Sequence, residues 1–236
     1  MTDKKQEKVN IEVSTYNWGP CLIKIKILDD FKKLLIDEAK KNEEDYASKL
    51  AGQIRKETGY GEESRGRIIP YLAAYLGIYD QAFQRYQTKK YELGKPEYAL
   101  TALWCNYQRQ HEFNPPHDHD GKLSFVIYLS IPDPLKKENA EYKGRSCGPG
   151  GIQFMWGEGP RDCISYQSYF PQEGDMFIFP AWLKHWVSPF QSDCVRVSVS
   201  GNVHDSAPLN QIKKGNLVKE SEEEEKKYLE ELKEKL

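Results

Sequence analysis

Polar and apolar positions alternate over residues 21–28, where Ile23, Ile25 and Ile27 are interleaved with Lys24 and Lys26. A period of two predicts a half-buried strand. Asp29 or Asp30 is placed to cap a helix, in which Phe31, Leu34, Leu35, Ala39, Tyr46, Leu50 and Ile54 recur at broadly helical spacing. The polar, glycine-bearing segment Thr58–Gly66 is expected to break it, and a second helix is expected from about Pro70 to Tyr86, proline being tolerated in a first turn. After Gly94 and Pro96 the texture changes to short β-rich runs between Gly/Pro turns: 99–108, 122–131, 152–156, 164–170, 175–180 and 194–203. Such spacing predicts a β-sandwich or jelly roll. The stretch 133–151 reads as a long, mobile loop or lid near a site. Residues 1–10 read as loose. Ser221 and Glu224 form a capping-box pattern that opens a charged C-terminal helix with Tyr228, Leu229 and Leu232 on one stripe.

The expected organisation is one domain over 1–236. A helical N-terminal support (11–98) carries a β core (99–205), followed by a C-terminal extension with the charged helix (206–236). The 12% aromatic content supplies large side chains for the core. A formal net charge of −2 argues against a dedicated nucleic-acid binder. No apolar run approaches the roughly 18 residues of a membrane span. The charged N-terminus shows no secretory signal. The 5 cysteines include no CxxC pair, which fits reduced thiols and a cytoplasmic location.

Of the 5 histidines, three fall where strands can aim them. In Pro116-His117-Asp118-His119-Asp120, residues two apart in an extended chain share a side, so His117 and His119 can present two imidazoles to one metal. His185, just beyond the apolar run Met176–Phe179 and its proline turn, is the candidate third ligand. Such a set leaves coordination positions open, as a redox-active Fe(II) centre requires. His111 and His204 lack comparable company and read as loop or strand-end residues. Further on, alternation puts Arg196, Ser198, Ser200 and Asn202 on one face. An arginine facing inward there would be costly without a buried anion, and its planar fork matches a carboxylate.

These segments resemble the Fe(II)/2-oxoglutarate-dependent dioxygenase superfamily, and most closely small phage-type and bacterial oxygenases related to its prolyl-hydroxylase branch. The residues that carry the resemblance are 116–119 with 123–129, 174–185 and 196–202. It implies a mainly β fold with flanking helices, its core a double-stranded β-helix (jelly roll), and an oxidoreductase using Fe(II), 2-oxoglutarate as cosubstrate, and O2. His117 and His185 would be metal ligands. Arg196 would grip the distal carboxylate of 2-oxoglutarate, with Tyr128 and Ser198 assisting and Asn106 and Asn202 as further polar groups of the pocket. Most of the superfamily reads His-x-Asp or His-x-Glu. This chain reads His117-x-His119, so the third ligand is His119, the favoured choice, or else Asp120 or, less readily, Asp118. Trp104, Tyr107, Trp182 and Trp186 are candidates to shield the site. The implied reaction is hydroxylation of a C–H bond of a protein side chain or a small molecule. Two alternatives stand beside it: a cupin-type three-histidine dioxygenase that does not use 2-oxoglutarate, and a non-catalytic jelly-roll binding module.

Overall fold

In the computed structural model, residues 19–42, 44–86, 98–157 and 164–206 are described. The residues expected to be loose (1–10) and the C-terminal helix lie outside them. The chain order is β1 (Ile23–Lys26), α1 (Asp29–Ala39), β2 (Glu44–Asp45), a 3-10 turn (Ala47–Lys49), β3 (Glu57–Gly59), α2 (Glu62–Tyr86), β4 (Tyr98–Gln108), β5 (Asn114–His117), β6 (Leu123–Ser130), α3 (Asp133–Glu141), β7 (Ile152–Met155), β8 (Tyr166–Tyr169), β9 (Asp175–Pro180), β10 (Lys184–Val187) and β11 (Arg196–Asp205).

The strands form two antiparallel sheets, a major one in the order β1-β9-β6-β11-β4-β3-β2 and a minor one in the order β5-β10-β7-β8. This is the jelly roll that the run of short strands predicts and the double-stranded β-helix that the resemblance implies, with every non-neighbour pairing made by a long return of the chain. Alternation along each major-sheet strand sorts its side chains between two cores. Leu103, Cys105, Phe125, Ile127, Met176, Ile178 and Val199 face the helices and join Phe31, Leu35, Leu72 and Leu76. Val126, Tyr128, Phe177 and Phe179 face the minor sheet and pack on Ile152, Phe154, Leu183 and Val187.

The strand expected within 21–28 is β1, at one edge of the major sheet, and the N-terminal part is less helical than expected because it also lends β2 and β3 to the other edge. α1 stops at Ala39, well short of Tyr46, Leu50 and Ile54. Its N-cap is Leu28, with no side-chain cap, and Asp29 and Asp30 occupy the first turn, where they favour the positive end of the helix dipole. α2 begins at Glu62 rather than near Pro70, because burial of Ser64 and Ile68 continues the Leu72–Tyr75–Leu76–Tyr79 stripe backwards. Pro70 lies on the exposed face of the helix, where its missing N–H costs little packing. The two helices are joined by the buried Glu38, whose carboxylate accepts from Arg67 (2.7 Å) and Ser64 (2.7 Å). Those donors and Lys41 hold its carboxyl down to about 2. The expected mobile loop at 133–151 instead opens with α3, anchored by the fully buried Leu135. No helix among the described residues is long and apolar enough to cross a membrane.

Candidate active site

The short strand β5 pairs with β10 so that His117 lies directly opposite His185. The chain then turns, and the backbone N–H of His119 donates to Ala181 O (2.9 Å), which brings a third imidazole to the same end. The candidate ligand atoms of His117, His119 and His185 lie within 4.8 Å of one another. Ring centroids are 4.3 Å apart for His117–His185, 4.9 Å for His117–His119 and 5.1 Å for His119–His185. Asp118 and Asp120 are exposed and stand outside this group.

Burial disfavours the charged imidazolium and lowers all three pKa values, His119 to about 4 and His185 to about 3, each pushed further by a neighbouring imidazole. Near neutral pH all three are neutral, the state a metal ligand needs. His117 Nδ1 lies 2.7 Å from Pro115 O and His185 Nδ1 lies 2.9 Å from Leu183 O. A carbonyl only accepts, so each Nδ1 carries the proton and each Nε2 keeps a free lone pair. Neither ring nitrogen of His119 has a hydrogen-bond partner among the described residues; the ring instead rests on Trp104, centroids 5.8 Å apart. Trp104 donates from Nε1 to Asn106 Oδ1 (3.1 Å).

Across the major sheet, Tyr128, Ser198, Asn106 and Glu57 form one row on the face between the sheets, being successive partners in β6, β11, β4 and β3. The Nδ2 of Asn106 donates along this row to Ser198 Oγ (3.4 Å) and to Ser200 Oγ (3.3 Å). Arg196, opposite Gln108, is 2% exposed. One of its terminal nitrogens donates to Gly150 O (2.7 Å), and its guanidinium lies 5.2 Å from the centre of the Tyr128 ring. No carboxylate pairs with Arg196 among the described residues, and neither Arg196 Nε nor the Tyr128 hydroxyl has any partner. Burial lowers the arginine pKa and raises that of Tyr128 to about 12. The result is a buried cation beside an unused O–H donor, a combination that is costly unless an anion completes it. Neutral imidazoles converging on one point and two unsatisfied donors beside them fit a divalent metal and a carboxylate ligand.

The other expected site residues separate. Asn202 Oδ1 is already used by Ser124 Oγ (2.7 Å). Of the four aromatics expected to shield the site, Trp104 lies against the imidazoles, whereas Tyr107 packs with the helix-side core and Trp182 is 53% exposed. Trp186 is half-buried on β10 beside His185. Gly150, Gln108 and Glu57 were not singled out in the sequence. Alternation from Asn106 would have found Gln108, whereas nothing local marks Glu57 as an interior residue.

Residues 102–202 match the family described as "Putative 2OG-Fe(II) oxygenase". The fold is similar to that of the non-heme alpha ketoglutarate dependent epimerase SnoN from nogalamycin biosynthesis, at 13% identity and a TM-score of 0.50, over 78% of this chain and 78% of that one. A Pseudomonas putida prolyl-4-hydroxylase aligns at 15% identity and a TM-score of 0.49, over 78% and 91%. HygX from Streptomyces hygroscopicus, solved with nickel, 2-oxoglutarate and hygromycin B bound, aligns at 11% identity and a TM-score of 0.49, over 79% and 83%. No curated protein matches the chain. The family match bears out the resemblance read from the motifs, and with it the enzyme class, a 2-oxoglutarate-dependent oxygenase requiring Fe(II), 2-oxoglutarate and O2.

Proposed function

We propose that this oxygenase hydroxylates a C–H bond of a protein side chain, in the manner of a prolyl hydroxylase, or of a small molecule, with His117, His119 and His185 as its iron ligands. The observation that carries the assignment of the site is Arg196, buried without a counter-ion beside an unpartnered Tyr128 hydroxyl. In this reading Arg196 and Tyr128 hold the distal carboxylate of 2-oxoglutarate, Ser198 assists and Asn106 lines the pocket, whereas Asn202, bonded to Ser124, takes no direct part. Iron and 2-oxoglutarate together supply O2 activation coupled to decarboxylation of the cosubstrate to succinate. The protein's own residues do the positioning. The carbonyls of Pro115 and Leu183 fix two imidazoles in the binding tautomer, Trp104 backs the third, and Phe154 and Phe179 pack on His185 and exclude water.

The three-imidazole donor set favours His119 over Asp120 as the third ligand, since both aspartates point to solvent. The same donor set also suits a cupin-type dioxygenase without 2-oxoglutarate, but such an enzyme has no use for the Arg196–Tyr128 pair. Cysteine usage supports a cytoplasmic setting, Cys21, Cys105, Cys147 and Cys194 all being free. The deciding experiment is anaerobic titration of the protein with Fe(II) and 2-oxoglutarate. A visible metal-to-ligand charge-transfer band is expected; a flat spectrum with iron bound would overturn the cosubstrate assignment.

A further inference from the structure

The buried polar atoms left without a partner on the face between the sheets fall into two kinds. The Tyr128 hydroxyl and Arg196 Nε are donors, on β6 and β11. Glu57 Oε2 and Gln108 Oε1 are acceptors, on β3 and β4. The 2-oxoglutarate carboxylate accounts for the donors and does nothing for the acceptors. Gln108 is otherwise engaged, its Nε2 donating to Glu112 O. Glu57 is 1% exposed, and its carboxyl has no hydrogen bond among the described residues, while its backbone carbonyl accepts from Tyr46 N–H (2.8 Å).

The surroundings of Glu57 specify what would satisfy it. Next to it on β3, Gly59 has no side chain, and the Tyr46 ring fills that space: a Cβ on Gly59 would lie 2.8 Å from Tyr46 Cδ2. Tyr46 in turn stacks on Trp104 (centroids 5.9 Å), whose ring touches His119. An aromatic wall thus runs from the imidazoles to the β3 edge, with a carboxyl beside it. The charges bearing on Glu57 are those of Glu112 and Asp45, both negative, and together with burial they raise its pKa to about 7. The nearby cations are engaged elsewhere: Arg55 with Glu112, Lys49 with Glu44 and over the Tyr46 ring, Lys56 over Tyr107.

We propose that this edge of the site binds a cationic nitrogen of the substrate, an ammonium or guanidinium, with the Glu57 carboxylate as counter-ion and Tyr46 and Trp104 as the wall it lies against. The placement of substrate here rests on the oxygenase reading of the imidazole cluster. A cation supplies the missing donors and offsets the repulsion from Glu112 and Asp45. A neutral apolar group would leave Glu57 buried and unpaired.

The test uses the full chain, both metal-free and loaded anaerobically with Fe(II) and 2-oxoglutarate. The probes are N-acetyl-lysine methylamide and N-acetyl-arginine methylamide against their uncharged counterparts from norleucine and citrulline, and intrinsic tryptophan fluorescence reports binding near Trp104. The wild type should prefer each cationic probe by about tenfold or more, and Glu57→Gln, which keeps shape and removes charge, should reduce that preference to about threefold or less. Equal binding of charged and neutral probes by the wild type, no binding of either, or a preference that survives in Glu57→Gln would overturn the proposal. The charge-transfer titration run on the same samples keeps the two readings apart. A cation preference without the band would remove the oxygenase assignment alone, and a band without the preference would remove only the proposed subsite.

Discussion

Replacing Arg196 with methionine should move stability and cosubstrate affinity in opposite directions. The guanidinium is almost wholly buried and, among the described residues, makes one hydrogen bond, to Gly150 O, and has no carboxylate partner. Desolvating such a group costs several kcal/mol, which the single bond and the Tyr128 ring offset only in part. Methionine is of similar length and carries no such cost. The ligand-free variant should therefore be as stable as the wild type or more stable, by about 1–3 kcal/mol. The bound state reverses the sign. A charge-assisted pair to a carboxylate, lost from a site that excludes water, is worth about 3–5 kcal/mol, which converts to a hundredfold to a few thousandfold weaker 2-oxoglutarate binding. Thermal unfolding with and without cosubstrate, at fixed metal, reads both quantities. At about 100 times the dissociation constant the ligand stabilises the wild type by ~2.7 kcal/mol, a rise of roughly 5–10 °C for a chain of this size. The Arg196→Met protein should show a rise of at most about 1–2 °C at the same concentration. An apo variant destabilised by several kcal/mol, together with unchanged 2-oxoglutarate affinity, would mean that Arg196 is a structural cation, and the clamp assignment would be wrong.

The third ligand separates by substitution: His119→Ala should lower iron affinity by about tenfold or more while Asp120→Ala leaves it unchanged, measured by competition with a chelator; loss of iron in the aspartate variant alone would reject the three-imidazole set. Two carboxyls shape the pH dependence of the metal-free protein with opposite signs. Glu38, held near 2, contributes stability that is present above its unfolded pKa and lost as pH falls from about 4.5 towards 2, so Glu38→Gln should flatten the acid limb of a denaturation series. Glu57, raised to about 7, binds its proton more tightly when folded, so stability falls as pH rises from about 4.5 to 7, and Glu57→Gln should remove that decline. Gly201→Ala should destabilise the fold by about 1–3 kcal/mol in chemical denaturation, because the new Cβ would lie 2.6 Å from the Phe125 ring and 2.7 Å from Ala102 O.

What could be read from the chain and what could not follows from the range over which each signal acts. The central strands announce themselves because both of their faces are buried or strictly alternating, as in Leu123–Ser130 and Arg196–Asp205. Strands β5 and β10 do not: each has only four residues, one with two prolines and the other with lysine, histidine and tryptophan, and they are strands because of partners distant in sequence, β5 against β10 and β10 against both β5 and β7. The same limit made Tyr46, Leu50 and Ile54 look like a continuing helix, since apolar spacing does not reveal that β3 pairs with β4 and pulls the chain away. Glycines at 59, 61 and 66 signalled a break, yet Gly66 lies inside α2, where the buried stripe outweighs its conformational cost. In the site, local alternation was enough to pick out Arg196 and the histidine pair. Trp104 against His119, and Glu57 in line with Asn106, required strand partners some fifteen and fifty residues away.

The position of β11 in the major sheet also dictates when this protein can fold. Strand β11 lies between β6 and β4 and, among the described residues, is the only strand that links the β1-β9-β6 half to the β4-β3-β2 half. Its residues are 196–205, made after every other strand of the described residues. During synthesis the chain therefore carries two unjoined half-sheets, each with an open edge, until β11 is complete. Assembly is then a late, long-range event, slow in proportion to the sequence separations it closes and exposed to edge-to-edge misassociation while it waits. Because Arg196 begins that same strand, the anion site comes into existence only at the closing step.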